Sequence, residues 1–381
     1  KLNKQIPKKI NIIKNPYHWD SLEKQIRDYK NLDEKIEQVF HIISEKLSKI
    51  HNANENKKYW RMIIFNWLCM YTSVIFDKWE QIKIFFEKKH ADKFYSNFIS
   101  LNELDYIPKN HEDFINMTQI EEWNHLIYLR IFHFLNIKNL SLIEKNISLN
   151  NLKNNTFRQE HGVLTVKEQN CNLITRLKKS IIKIIENISF RFNNIIFESF
   201  HFPKKEFLKI CIRYRLIPTK FWNFFNFDIK ENDLLKNDKR TKLKNLLLKE
   251  STEDKFIQFL LLKLHNDIPQ SYLENFEEIK KKILPVARMK KIIFTMYSLF
   301  SNDNFKIYTA ETKKIGSKIV HSPHGGGDII MANNPYFNFF NKVIDHNIWW
   351  NNLDTKKPNI TLSPTIPTTK LKNQKYGSFC S

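Results

Sequence analysis

Between Lys291 and His321 the chain spells a strand, a helix and a second strand in immediate succession, and that order leaves few folds open. Lys291 to Thr295 (Lys-Ile-Ile-Phe-Thr) is a short apolar run of the kind that fills a strand buried on both faces. Ser301 or Asp303 can cap the helix that follows, which runs to about Lys314, and Gly316 supplies its stop. Lys318 to His321 then reads as a second strand. Two strands joined through a helix pair in parallel with a right-handed crossover. The expected class is a helix-rich α/β protein with a parallel sheet.

Ahead of this unit, helical periodicity dominates. Apolar residues recur at helical spacing from Ser21 to Ile50, and Asn52 to Asn56 makes a polar break. A second helix is expected from about Lys57 to Lys88, apolar on most sides and therefore buried. Ile120 to Phe134 gives a third, and Leu140 to Asn155 reads as an Asn-rich connection. Leu173 to Ile188 is amphipathic, with Lys178, Lys179 and Lys183 on its polar side. Asn194 to Phe200 reads as a short strand, and Pro203 suits the first turn of a helix reaching about Tyr214. Phe256 to Leu264 is another apolar helix.

Charge narrows the partners more than it narrows the fold. The formal net charge is +22, from 62 Lys and Arg against 40 Asp and Glu, which attracts phosphates at long range. The lysines are interleaved with acids along most of the chain, so a solvated basic surface is the plain reading. A basic, non-enzymatic nucleic-acid-binding protein is the alternative. No zinc finger, helix-turn-helix or RNA-binding aromatic motif accompanies the charge, so no specific nucleic acid is expected. Cys69, Cys171, Cys211 and Cys380 are widely spaced, with no metal-binding spacing. A reduced, cytoplasmic setting fits, with peripheral contact to an anionic membrane through basic residues left open. The longest nearly uncharged run, Met62 to Phe76, falls short of the ~20 residues of a membrane span.

The best candidate for chemistry is the loop after the second strand, His324-Gly325-Gly326-Gly327-Asp328. It leaves the carboxyl end of a parallel strand, the edge where open α/β sheets bind ligands. Three glycines let backbone amides approach a phosphate or sugar, and His324 can act as a general base or hydrogen-bond a departing phosphate. A glycine-rich turn with a histidine packed beside it fits the same residues. The loop is neither a P-loop nor a dinucleotide fingerprint. His321, on the strand itself, reads as a core or supporting residue. Near the N-terminus, His18 and Asp20 lie just before a helix, where Asp20 or Ser21 can be its N-cap. Arg61 and Asp77 flank the buried helix and can pair with each other or meet a ligand. No Asp-x-Asp motif stands out, which argues against a Mg²⁺-dependent transferase, and no cofactor is expected.

Taken in order, a set of motifs resembles a transferase family of O-antigen and surface-carbohydrate biosynthesis over nearly the whole chain. The set begins with Tyr17-His18-Trp19-Asp20, Tyr59-Trp60-Arg61 and Phe76-Asp77-Lys78-Trp79-Glu80. It continues through Ile268-Pro269-Gln270-Ser271-Tyr272-Leu273-Glu274, Phe294-Thr295, Phe305-Lys306 and Ala310 to His324-Gly325-Gly326. The resemblance implies a glycosyltransferase of the two-Rossmann-domain type, with a nucleotide-sugar donor and a glycan acceptor meeting in the cleft between domains. It makes His324 the acid/base position, with Gly325, Gly326, Gly327, Asp328, His18, Asp20, Arg61 and Asp77 as substrate contacts. Residues 1–155 then form a helical N-terminal part and 156–360 a Rossmann-like α/β part of the same domain. Residues 361–381 would be a linker or the stub of a second domain. Family members usually begin with a further strand and a Gly-Glu-Trp-Cys-like segment, and they continue into a complete second domain. Pro323 stands where they commonly have Gln. The resemblance thus implies a chain truncated at both ends that lacks most of its donor site.

Overall fold

A computed structural model describes residues 16–87, 93–101, 106–138, 140–144, 173–219, 224–227, 238–323, 339–340, 342–349 and 360–362. Helix α1 (Leu22–Ile50) begins at Ser21, whose backbone is extended and whose side chain accepts from the Lys24 amide. Ser21, not Asp20, is therefore the N-cap. Leu32, Ile36, Val39, Phe40, Ile43 and Leu47 lie on one buried stripe of α1. After the break at Asn52, where φ is +46°, helix α2 (Lys57–Glu87) runs through the centre of the molecule. The uncharged run inside α2 can be buried on most sides because it brings no charge that must be paired. Trp60 and Trp67 on α2 are fully buried, each contributing roughly 2–3 kcal/mol of burial.

The next elements are β1 (Phe94–Phe98), α3 (His111–Met117), α4 (Glu121–Leu135) and β2 (Leu140–Glu144). β1 and β2 pair in parallel, Phe94 opposite Leu140 through Phe98 opposite Glu144. The start of the segment expected to be a polar connection is therefore a strand. Then come α5 (Leu173–Phe192), β3 (Ile195–Glu198), α6 (Lys204–Arg213), α7 (Lys239–Leu247) and α8 (Lys255–Asp267). Pro203 sits at the cap of α6 rather than in its first turn. A 3₁₀ turn at Gln270–Tyr272 leads into α9 (Phe276–Ile283), β4 (Ile292–Thr295) and the short α10 (Ser298–Ser301). Helix α11 (Asp303–Lys314) and strands β5 (Lys318–His321), β6 (His346–Trp349) and β7 (Ile360–Leu362) complete the described chain. The cap of α11 is neither Ser301 nor Asp303. Asn302 holds that place, its side chain accepting from the Phe305 amide. Gly316, at φ +103°, follows the end of α11 as expected.

Strands β3 to β7 form one sheet, every pair parallel, ordered across the sheet as they occur in the chain. The fold is the helix-rich α/β class with a Rossmann-like parallel sheet that the sequence implied. Its two faces alternate residue by residue. Ile195, Phe197, Phe294 and Met296 pack on Phe207 and Cys211 of α6. Ile196, Ile293 and Ile319 face the other way, into the core shared with α1, α2, α8 and α11. Helix α2 touches α1, α4, α8 and α11, so the helical half and the sheet share one interior.

Candidate functional site

At the carboxyl ends of four adjacent strands a polar row crosses the sheet. Glu198 is in register with Thr295, Thr295 with His321, and His321 with Asn347. Residues in register on parallel strands point to the same face, so these side chains stand side by side. They lie above the apolar layer of Ile196, Ile293 and Ile319, each fully buried. The row is buried too, at 2%, 0%, 2% and 0% exposure from Glu198 to Asn347. Aliphatic side chains would fill such positions at no desolvation cost, so the polar row needs a reason.

Glu198 receives hydrogen bonds from the hydroxyls of Thr295, at 3.4 Å, and Ser298. Among the described residues no cation pairs with it. Burial raises its carboxyl to about 7, against the pull of those two hydroxyls. His321 stacks on Phe340 with centroids 3.9 Å apart, and its Nδ1 lies 3.3 Å from Asn347 Oδ1. Burial lowers its pKa to about 4, opposed by Asn347 and the Met296 backbone, so the ring is neutral at pH 7. Among the described residues Asn347 Nδ2 has no hydrogen-bond partner, and turning the amide over would leave the oxygen in that state instead. Directly after Glu198, Ser199 holds φ at +53°, a left-handed conformation of the kind that collects at functional sites.

His324, Gly325, Gly326, Gly327 and Asp328 lie outside the described residues. The structure does give the point from which they depart. β5 ends at His321, and buried Ser322 and Pro323 follow at the same sheet edge as the polar row.

The N-terminal candidates fall into two places. His18 Nε2 lies 3.0 Å from Asp77 Oδ1, and the Tyr17 hydroxyl donates to that oxygen at 2.6 Å. Desolvation pushes the Asp77 carboxyl up, but the bonds from His18 and Tyr17 outweigh it and hold its pKa below the usual range. The Gln81 side chain accepts from the His18 amide and donates to the Pro16 carbonyl, so α2 latches the segment that precedes α1. Asp20 is exposed and outside this cluster. Arg61 does not meet Asp77. It makes two hydrogen bonds with Glu37, at 2.8 and 2.7 Å, and its guanidinium lies over Phe40 and Phe65. Sixteen helical residues place Arg61 and Asp77 about 24 Å apart along α2.

Several motif residues belong to a buried network. Asp303 accepts from Tyr272 OH (2.6 Å), Lys306 Nζ (2.9 Å), Ser271 Oγ (2.6 Å) and the His111 amide (2.9 Å). Lys306 also reaches His111 Nδ1 at 2.9 Å, so the imidazole proton sits on Nε2. Nearby, Arg130 pairs with Asp267 and Arg240 with Glu274, and Arg240 also caps the carbonyls of His265 and Ile268. These contacts fix the Ile268–Glu274 motif and the start of α11. The motif therefore reads as architecture.

A cavity of about 400 Å³ opens between the end of α2, α4 and the β1–β2 pair, lined by Ile82, Phe85, Phe86, Phe94, Tyr128 and Phe132. Gln81, which holds the His18 segment, borders it.

Glu198 is the residue that sequence reasoning missed. It was visible as the one acid in Ile195–Glu198, but a charged residue at a strand end ordinarily marks the exit to solvent. No curated protein matches the chain, and no solved structure does. The family model described as LIC12162 family transferase matches residues 3–375. A match of that length takes in both the helical half and the parallel sheet, and the chain belongs to the LIC12162 family of transferases.

Proposed function

We propose that the chain is a glycosyltransferase, moving a sugar from a nucleotide-activated donor to a surface-polysaccharide acceptor of the O-antigen type. Membership of a transferase family gives the general reaction. The observation that carries the finer reading is the buried polar row at the carboxyl edge of a parallel sheet, on the strand that precedes His324 in the sequence and its neighbours. Open α/β sheets bind ligands at this edge. In the proposed arrangement Gly325, Gly326 and Gly327 admit the donor phosphates to backbone amides, and Asp328 contacts the sugar. His324 works at the departing phosphate, to which it donates a hydrogen bond. The sheet would be the first of two Rossmann-like domains, with the acceptor entering the cleft.

Of the other candidates, His18 and Asp77 already hold one another and Arg61 holds Glu37, so any substrate contact would be made by their remaining faces. We also propose that the protein meets the anionic inner face of the cell membrane at its periphery. Among the described residues no helix is long and apolar enough to cross a membrane. Helix α5 exposes Ile181, Ile184, Ile185, Ile188 and Phe192 along one stripe and carries five basic residues against one acid, a pattern suited to an anionic lipid surface.

The test is transfer from a panel of nucleotide sugars to lipid-linked and soluble glycan acceptors, comparing wild type with His324→Ala. The expected result is turnover by the wild type and a loss of ~100-fold or more in the variant. Equal turnover would take His324 out of the mechanism. Salt-sensitive retention of DNA or RNA with no transfer would favour the nucleic-acid alternative.

A further inference from the structure

We infer that Glu198 is a catalytic residue of the transfer reaction, the base that takes the proton of the acceptor hydroxyl. The inference rests on the glycosyl-transfer reading. In the step, the acceptor O–H bond breaks and its proton moves to a Glu198 carboxylate oxygen. The acceptor oxygen forms a bond to the anomeric carbon of the donor sugar. The bond from that carbon to the diphosphate oxygen breaks, and its electron pair leaves with the nucleoside diphosphate. Charge and atoms balance with no further reactant.

Three observations on the page lead there. The first is position. Glu198 ends β3 at the carboxyl edge of the sheet, in the same row as Thr295, His321 and Asn347, and β5 of that row ends three residues before His324 in the sequence.

The second is a contrast with the four most buried of the other acids among the described residues. Asp267 is held by Arg130, Glu274 by Arg240, Asp303 by Lys306, and Glu311 by Lys280 and Lys314. Those pairings are what a structural carboxylate needs inside a protein. Glu198, only 2% exposed, has the hydroxyls of Thr295 and Ser298 and, among the described residues, no cation. Two neutral donors orient a carboxyl without fixing it in the ionised form, so it can gain and lose a proton. Burial then brings its pKa to about 7, close to where a general base works best. The titratable neighbour in the row, His321, is held neutral.

The third is unfinished hydrogen bonding in the same row. Among the described residues the buried Asn347 amide, at the far end of the row from Glu198, keeps one end without a partner, and Ser199, directly after Glu198, carries a left-handed backbone. An incomplete polar row next to a strained turn fits a place where a hydroxyl-rich ligand completes the pairing.

The experiment uses the full chain with Glu198→Gln, which has the shape of the neutral acid, and Glu198→Asp, which keeps the acid but draws it back by one methylene. Glu198→Gln is expected to keep the wild-type circular dichroism and affinity for nucleoside diphosphate while kcat falls by ~100-fold or more. Wild-type kcat/KM is expected to rise with pH through a limb near 7, and the limb should vanish in Glu198→Gln. Glu198→Asp should fall between the two. Wild-type turnover in Glu198→Gln, or an unchanged limb, overturns the assignment while leaving glycosyl transfer standing. Should Glu198→Gln not fold, a wild-type rate and profile in Glu198→Asp does the same. No transfer by the wild-type chain across the donor panel removes the glycosyl-transfer reading and this role together.

Discussion

Lys306 is fully buried, and its ammonium lies 2.9 Å from Asp303, 2.9 Å from His111 Nδ1 and 3.1 Å from the Tyr272 hydroxyl. Methionine at this position would keep the length of the side chain and remove the charge and all three donors. Asp303, 4% exposed, would retain the bonds from Tyr272, Ser271 and the His111 amide but lose its cation. Leaving one member of a buried ion pair alone costs ~3–5 kcal/mol. The three surviving donors place Lys306→Met near the lower end, and the lost donor to His111 adds ~1 kcal/mol. The expected destabilisation is therefore about 4 kcal/mol, read from the urea midpoint at constant m-value. In Lys306→Met/Asp303→Asn the stranded charge is gone, and the double variant should be at least ~1 kcal/mol more stable than the sum of the single losses. A loss below ~1 kcal/mol for Lys306→Met, or strict additivity in the cycle, would refute the claim that this network holds α11 to the Ile268–Glu274 segment.

Three further outcomes are expected. Asp77→Ala removes the acceptor shared by Tyr17 and His18 and should cost ~1–2 kcal/mol while loosening the pre-α1 segment, seen as a change in Trp19 fluorescence and faster proteolysis ahead of Ser21. The Glu198 carboxyl is raised from 4.5 to about 7 in the folded state, so its contribution is fully present below pH 4.5 and is lost as pH rises through about 7. Glu198→Gln should therefore gain up to about 3 kcal/mol on wild type across that window, with the opposing contribution of His321 cancelling in the difference. Ile184→Asp with Ile188→Asp should abolish co-sedimentation with phosphatidylglycerol vesicles and leave the circular dichroism unchanged, whereas binding equal to wild type would place the membrane contact elsewhere.

The strand–helix–strand unit from Ile292 to His321 could be read directly because each of its signals is local. Apolar runs, a capping region and a glycine at positive φ act over a few residues and need no distant partner. β1 and β2 gave no such signal: Phe94–Phe98 and Leu140–Glu144 mix polar and apolar residues, and each becomes a strand by pairing with the other across the intervening α3 and α4. β6 was missed for a related reason. His346–Trp349 contains only two apolar residues, and it becomes a strand by pairing with β5 and β7.

The same distinction separates the candidate residues. Arg61 and Asp77 stand symmetrically about one uncharged run, and in a list of residues they invite pairing. Helical rise forbids it, because a helix that keeps them on one straight axis also keeps them about 24 Å apart. Each then takes a partner from what passes its own end of α2: Glu37 of α1 for Arg61, and Tyr17 with His18 for Asp77. Glu198 is the reverse case. Alone in the sequence it resembles a solvent-facing strand end, yet it is buried and bonded to Thr295, on a strand 97 residues further along. A single charge in an apolar strand acquires meaning only when the register of its neighbours is known, since that register decides whether it meets water, a cation or two hydroxyls. Here it meets two hydroxyls, and that makes proton transfer at this edge of the sheet physically reasonable.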